Sequence, residues 1–162
     1  MTIIKSNDIM KKIFACIILL AGALCSCTDR IRFEAPYFVC FMPEESSSTI
    51  INAQGTVTGT YKVHLSTVKP DNTIVVKWDV FPGNGMKEGV DYSIESASKS
   101  LQFYSGVYDR EIKIKWLKHD IDPAKDNTVT ISLTECSQPD ILLGMPGPSK
   151  KNKDIVITKY SD

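Results

Sequence analysis

Residues 119–127 read "HDIDPAKDN" and set Asp120, Asp122 and Asp126 close together, the densest group of hard oxygen ligands in the chain. Calcium takes about six to eight oxygen ligands, with carboxylates converging from one or more loops. Asp120 and Asp122 are spaced so that they could share an ion, and Asp126 could add a further oxygen. An EF-hand is excluded, because the sixth place counted from Asp120 is Lys125 instead of Gly and the twelfth is Ile131 instead of Glu. Pro123 stiffens the loop, while Lys118 and Lys125 offset its negative charge. The alternative is a solvated turn whose aspartates cap main-chain donors. We expect a turn first, and at most a weak calcium site through Asp120, Asp122 and Asp126; no other cofactor is expected.

Other reactive chemistry is thinly represented. The two histidines are His64 and His119, and neither accompanies a Gly-x-Ser-x-Gly elbow. With no third histidine, a zinc site of the usual donor types is not expected. "GNG" at residues 83–85 follows an apolar run but lacks the third Gly and the following helix of a phosphate-binding loop. No nucleophile–base pair is legible, so the expected role is not enzymatic. Tyr104 and Tyr108 flank Gly106 in a turn, where stacked rings could hold a sugar, although packing against neighbouring strands is the simpler use. "ILLGMPGP" at residues 141–148 carries Leu142 and Met145 on an apolar loop that either covers a sheet edge or meets a partner.

The elements that must position these residues are strands. "TYKVHLST" alternates Tyr61, Val63 and Leu65 with Lys62, His64 and Ser66, the period of a half-buried strand. "TIVVKWDV" repeats this with Ile74, Val76, Trp78 and Val80, and "REIKIKWLK" with Ile112, Ile114 and Trp116. "TVTISL" places Val129, Ile131 and Leu133 on one face, and "KDIVITKY" supplies a last strand. "YFVCF", "DYSIES" and "KSLQFYS" are shorter candidates, and "KPDN", "PGNG" and "NAQG" are turn chemistry. The long segment 137–152 reads as a loop. About seven strands with turns between them and no helical period predict an all-β, antiparallel β-sandwich of immunoglobulin-like type.

The 162 residues suit one domain, and 19 basic residues balance 19 acidic ones, so no nucleic-acid partner is expected. The first part of the chain lies outside that domain. Lys11 and Lys12 precede "IFACIILLAGAL", an apolar run too short to span a bilayer, which reads as a secretory signal. "LCSC", residues 24–27, resembles the lipobox of bacterial lipoproteins, with Leu24 three places before Cys27 and small Ser26 just before it. That resemblance implies cleavage before Cys27, its acylation with palmitate-type chains, and anchorage to a membrane. The expected organisation is a lipoprotein signal peptide over 1–26, a lipidated Cys27 with a short tether over 27–36, and a β-sandwich over 37–162. The expected location is the cell envelope, at the outer membrane, with the side it faces left open. In that oxidising compartment Cys40 and Cys136 either pair as a disulfide or remain two separate buried thiols.

One stretch also carries a family likeness. Gly89, Asp91 and Tyr92 form a Gly-x-Asp-Tyr turn; Leu101, Phe103 and Gly106 form a strand and its turn; Ile112 and Ile114 alternate; Asp120 opens an acidic loop; Val129, Ile131 and Leu133 close the series. Their order and spacing resemble the Calx-beta domain of sodium–calcium exchangers, integrins and bacterial surface proteins. Where calcium-binding members carry further acids in this loop, the present sequence has Ala124 and Asn127. Without the family, "GVDY" reads as a structural corner, with a Gly for the turn and an Asp that accepts main-chain N–H groups. The expected function is a membrane-anchored, non-catalytic binding or assembly module, accessory to glycan uptake or adhesion, with glycan or other envelope proteins as partners. A calcium-dependent adhesion module using the 120–126 loop is the alternative within binding, and a small envelope hydrolase is the alternative in another class.

Overall fold

The computed structural model describes residues 36–67 and 72–161. The signal segment 1–26, Cys27 and all of the tether but Pro36 lie outside the described residues. Ten strands follow in chain order: β1 (Phe38–Phe41), β2 (Ile50–Asn52), β3 (Val57–Ser66), β4 (Ile74–Pro82), β5 (Tyr92–Ile94), β6 (Ser100–Phe103), β7 (Asp109–Trp116), β8 (Thr128–Cys136), β9 (Leu142–Leu143) and β10 (Asp154–Tyr160). Helical structure among the described residues is limited to one 3-10 turn, Pro43–Glu45. The strands form two five-stranded sheets, β5-β7-β3-β1-β9 and β2-β10-β8-β4-β6. The chain from Pro36 onward forms one compact unit.

Alternation places the core. Tyr61, Val63 and Leu65 of β3 and Ile112, Ile114 and Trp116 of β7 point inward from the first sheet. Val76 and Trp78 of β4, Val129, Ile131 and Leu133 of β8, and Ile155 and Ile157 of β10 join the same cluster from the second. Both sheets therefore share one core, as in a β-sandwich, and both tryptophans lie in it. Each fully buried large apolar side chain stabilises the fold by about 1.5–3 kcal/mol relative to exposure. The core also spans a register shift: Val76 pairs with Cys136 and Lys77 with Glu135, but Trp78 pairs with Leu133. Thr134 is the extra residue, so inward parity on β8 passes from Leu133 to Cys136.

The expectation of about seven antiparallel strands needs two corrections. Among the described residues there are ten strands, and two strand pairings are parallel, β1 with β9 and β10 with β2. Both parallel partners are edge strands of two or three residues. Segments that short hold no readable period, so β9 lies within the expected loop 137–152 and β2 runs into the turn-like stretch "NAQG". Both edges of the second sheet, β2 and β6, are capped locally. Ser48 Oγ accepts the N–H of Ile50 and donates to its carbonyl. On β6, Ser98 Oγ donates to the Ser100 carbonyl and Arg110 Nε to that of Gln102. Such capping blunts strand-to-strand pairing with another chain.

Candidate functional site

The loop joining β7 to β8 does not gather its three aspartates. Asp120 Oδ1 accepts from Gln54 Nε2 at 2.7 Å. Asp122 Oδ1 accepts the N–H of Ala124 at 3.0 Å, and its other oxygen lies 3.7 Å from Lys125 Nζ. Asp126 Oδ1 accepts both the N–H (3.1 Å) and the hydroxyl (2.7 Å) of Thr128. Each carboxylate is turned to its own neighbour, and among the described residues no three His, Cys, Asp or Glu side chains stand close enough to hold a metal ion. The short Asp side chain favours this outcome, since it reaches main-chain donors two residues on more readily than a distant shared ion.

A different set does converge, at the same end of the sandwich. Lys159 follows Ile155 and Ile157 at the inward parity of β10, so its side chain enters the space between the sheets and is 0% exposed. Its Nζ donates to Asp91 Oδ1 at 3.1 Å and to the carbonyl of Leu117 at 2.9 Å. Asp91 stands just before β5 of the other sheet, and its side chain is 3% exposed. The corner that holds it is local. Gly89 adopts φ +82°, the main-chain N–H of Asp91 meets the Lys87 carbonyl at 2.9 Å, and Oδ2 accepts the N–H of Lys87 at 3.0 Å. His119 Nδ1 lies 2.9 Å from Oδ1. A carboxylate only accepts, so Nδ1 carries the proton. The His119 side chain is 51% exposed and forms the solvent side of the group.

Burial pushes the Asp91 carboxyl towards its neutral form, but hydrogen bonds from Lys159, the Lys87 N–H and His119 outweigh it and hold the group below the usual carboxylate range. Asp91 and Lys159 are the two buried charged side chains among the described residues, and they meet. Beneath them lies an aromatic layer. Trp116 Nε1 donates to Tyr61 Oη at 3.0 Å, and the Tyr92 ring sits 6.0 Å from that of Trp116. Burial drives the Tyr61 hydroxyl up to about 12, against the lowering effect of its bond from Trp116.

The remaining candidates are dispersed. Tyr104 is exposed, its hydroxyl donates to Gln102 Oε1, and the Arg110 guanidinium lies 5.0 Å from its ring centroid, so one ring face is already covered. Tyr108 is half-buried, and its carbonyl accepts the N–H of Leu65. Leu142 and Met145 are exposed where β9 forms the edge of the first sheet. The disulfide considered for Cys40 and Cys136 is not formed: both are free thiols. Cys40 lies between Val39 and Phe41, which face the core, and so points to the other side of its sheet, whereas Cys136 packs against the core. A sheet separates them, and no disulfide geometry spans that. Burial raises the pKa of both thiols, which leaves them weak nucleophiles.

Sequence reasoning treated Asp91 as a corner residue, found no catalytic context for His119, and assigned nothing to Lys159. One signal was available: a lysine at the inward parity of a strand whose two preceding inward residues are isoleucines requires a buried partner. No helix among the described residues is long and apolar enough to cross a membrane.

No protein-family model matches the chain, and no curated protein matches it. Among solved structures, a protein of unknown function from Bacteroides ovatus is similar at 12% identity with a TM-score of 0.50. The match covers 77% of this chain and 47% of that one, so this chain spans about half of the solved protein. At that identity the likeness concerns the fold alone.

Proposed function

We propose that this chain is a lipid-anchored envelope protein whose compact unit is an immunoglobulin-like sandwich of Calx-beta type, serving as a non-catalytic binding or assembly module at the outer membrane. The observation that carries the reading is the distance along the chain between the lipobox-like cysteine and the folded unit. Only residues 28–35 separate Cys27 from Pro36, where that unit begins. An extended chain covers about 3.3–3.6 Å per residue, so such a tether holds the unit within roughly 30 Å of the membrane surface. Acyl chains contribute about 0.8 kcal/mol per buried methylene, and two or more chains give stable anchorage.

The corner at Gly89, Asp91 and Tyr92 supports the Calx-beta reading: the glycine has positive φ, the aspartate caps a main-chain N–H, and the tyrosine is buried. The capped β2 and β6 edges favour binding through side-chain surfaces. The candidates are Leu142 and Met145 at the β9 edge and the cross-strand row Val156–Thr130–Phe81, of which Val156 and Phe81 are exposed. Envelope glycans and neighbouring envelope proteins are the partner classes this surface suits. Growth with a palmitate analogue tests the anchor. The wild-type chain is expected to take up label and sediment with membranes, and Cys27→Ala to lose both; label retained in that variant refutes the proposal.

A further inference from the structure

We propose that Lys159 and Asp91 condense to an intramolecular amide, an isopeptide bond that joins the last strand of one sheet to the corner entering β5 of the other. The reading is independent of the membrane anchor and rests on how the two groups are buried and on what surrounds them. Lys159 Nζ and Asp91 Oδ1 are 3.1 Å apart, with side chains 0% and 3% exposed. Held that way, amine and carboxyl react as parts of one molecule, without the entropy cost of an encounter. Lysine–carboxylate pairs on the surface differ. Lys77–Glu135 and Lys99–Asp79 have side chains 45–62% exposed, where water stabilises the charged forms.

Each atom that changes bonding has a partner suited to the change. Oδ2 accepts the N–H of Lys87 at 3.0 Å, a fixed donor that can stabilise the oxyanion formed when Cγ becomes tetrahedral. Oδ1, the oxygen that leaves, faces the His119 Nδ1–H at 2.9 Å, a general acid within reach. The Leu117 carbonyl orients the amine at 2.9 Å. The exposed side of His119 offers the released water a path out.

The step balances without any added reagent. One proton passes from the ammonium to Oδ1 along their hydrogen bond, which gives a neutral amine and a carboxylic acid. The Nζ lone pair attacks Cγ and forms the C–N bond. His119 Nδ1–H gives its proton to Oδ1, the Cγ–Oδ1 bond breaks and water departs; the second Nζ proton leaves through that water to the ring's Nε2, so His119 ends neutral. Nothing is oxidised or reduced. The product removes two buried charges, each costly to hold in the interior. Its one N–H still has the Leu117 carbonyl to donate to, and its carbonyl still accepts from Lys87, so neither polar group of the amide is left unpartnered. The new bond closes a loop across a sequence separation of 68 residues and ties the two sheets together covalently.

Trypsin digestion of the full chain followed by mass spectrometry reads the bond directly. The expected product is a branched peptide in which residues 88–99 are joined to residues 154–162, one water lighter than the sum, with no cleavage after Lys159. Lys159→Arg abolishes it. Asp91→Asn gives the same branched peptide, now by loss of ammonia. His119→Ala slows its appearance in freshly synthesised chain by about 100-fold or more; an unchanged rate overturns the role given to His119. Recovery of the wild-type chain as two unlinked peptides, cut after Lys159, overturns the proposal. So does loss of water confined to residues 88–99, which would mark a succinimide at Asp91. Because the decisive readout is on the unmodified chain, poor folding of a variant cannot mask the result.

Discussion

Replacing Tyr61 by Phe removes one oxygen atom from the layer beneath the site and leaves the ring volume nearly unchanged. That oxygen accepts the Trp116 indole N–H at 3.0 Å, and both residues are 0% exposed. Without it the indole donor stays buried and unpartnered, at a cost of about 1–3 kcal/mol. Taking the middle of that range, Tm should fall by roughly 6–10 °C for a domain of this size. The variant also has a pH signature. Burial raises the Tyr61 hydroxyl from an ordinary 10 to about 12 in the folded chain. Because the folded value is the higher one, the contribution is intact below pH 10 and is lost as pH rises through about 12. At about 1.36 kcal/mol per pKa unit, the loss is roughly 3 kcal/mol. Urea melts followed by circular dichroism should show the wild type more stable at neutral pH. The two stability curves should converge between pH 10 and 12 and meet near the top of that window. Equal stability at neutral pH, or parallel curves through the alkaline window, would refute the reasoning.

Gly144 has φ +85°, and a Cβ there would stand 2.5 Å from the Lys150 carbonyl, so Gly144→Ala should cost about 1–3 kcal/mol and speed hydrogen exchange at its N–H, which bonds to Val39. Arg110→Ala removes the cation over Tyr104 and uncovers the Gln102 carbonyl. It should cost about 0.5–1 kcal/mol in thermal melts and increase concentration-dependent association in size-exclusion runs. Millimolar calcium should leave Tm unchanged, because the carboxylates of Asp120, Asp122 and Asp126 are turned to separate partners; a rise of several degrees would require them to converge on an ion.

The long strands were legible because their alternation is strict. Tyr61, Val63 and Leu65 of β3, Ile112, Ile114 and Trp116 of β7, Val129, Ile131 and Leu133 of β8, and Ile155 and Ile157 of β10 recur at every second position, and the structure buries them. β2 and β9 were not, since two or three residues carry no period and their pairing is parallel, set by distant chain. The cysteines show the same divide. The outward parity of Cys40 can be read from Val39 and Phe41 on either side of it. The inward parity of Cys136 depends on the extra residue at Thr134, which only the register against β4 reveals. At the site, the lysine was readable as misplaced, but its partner Asp91 lies 68 residues away and is brought to it by packing between the sheets.

The loop that resembles a calcium site and the buried group beside it differ in what surrounds their acids. The loop's shape is fixed by protein donors. The Asn84 side chain accepts the N–H of Asp126, the carbonyl of Asp126 accepts the N–H of Gly85, and His119 donates its own N–H to Ala53. Gly83 and Gly85 approach so closely that a Cβ on either would strike Asp126 or Asn127, which accounts for the glycines of "PGNG". An ion is therefore not needed to order the loop, and its exposed aspartates keep their charge in water at little cost. Asp91 has no such recourse. Shielded between the sheets, its charge persists against Lys159 with help from the Lys87 N–H and His119, and the same enclosure that forces lysine and aspartate together is what makes their condensation favourable. Spacing along the chain pointed to the first group; exclusion of water selects the second.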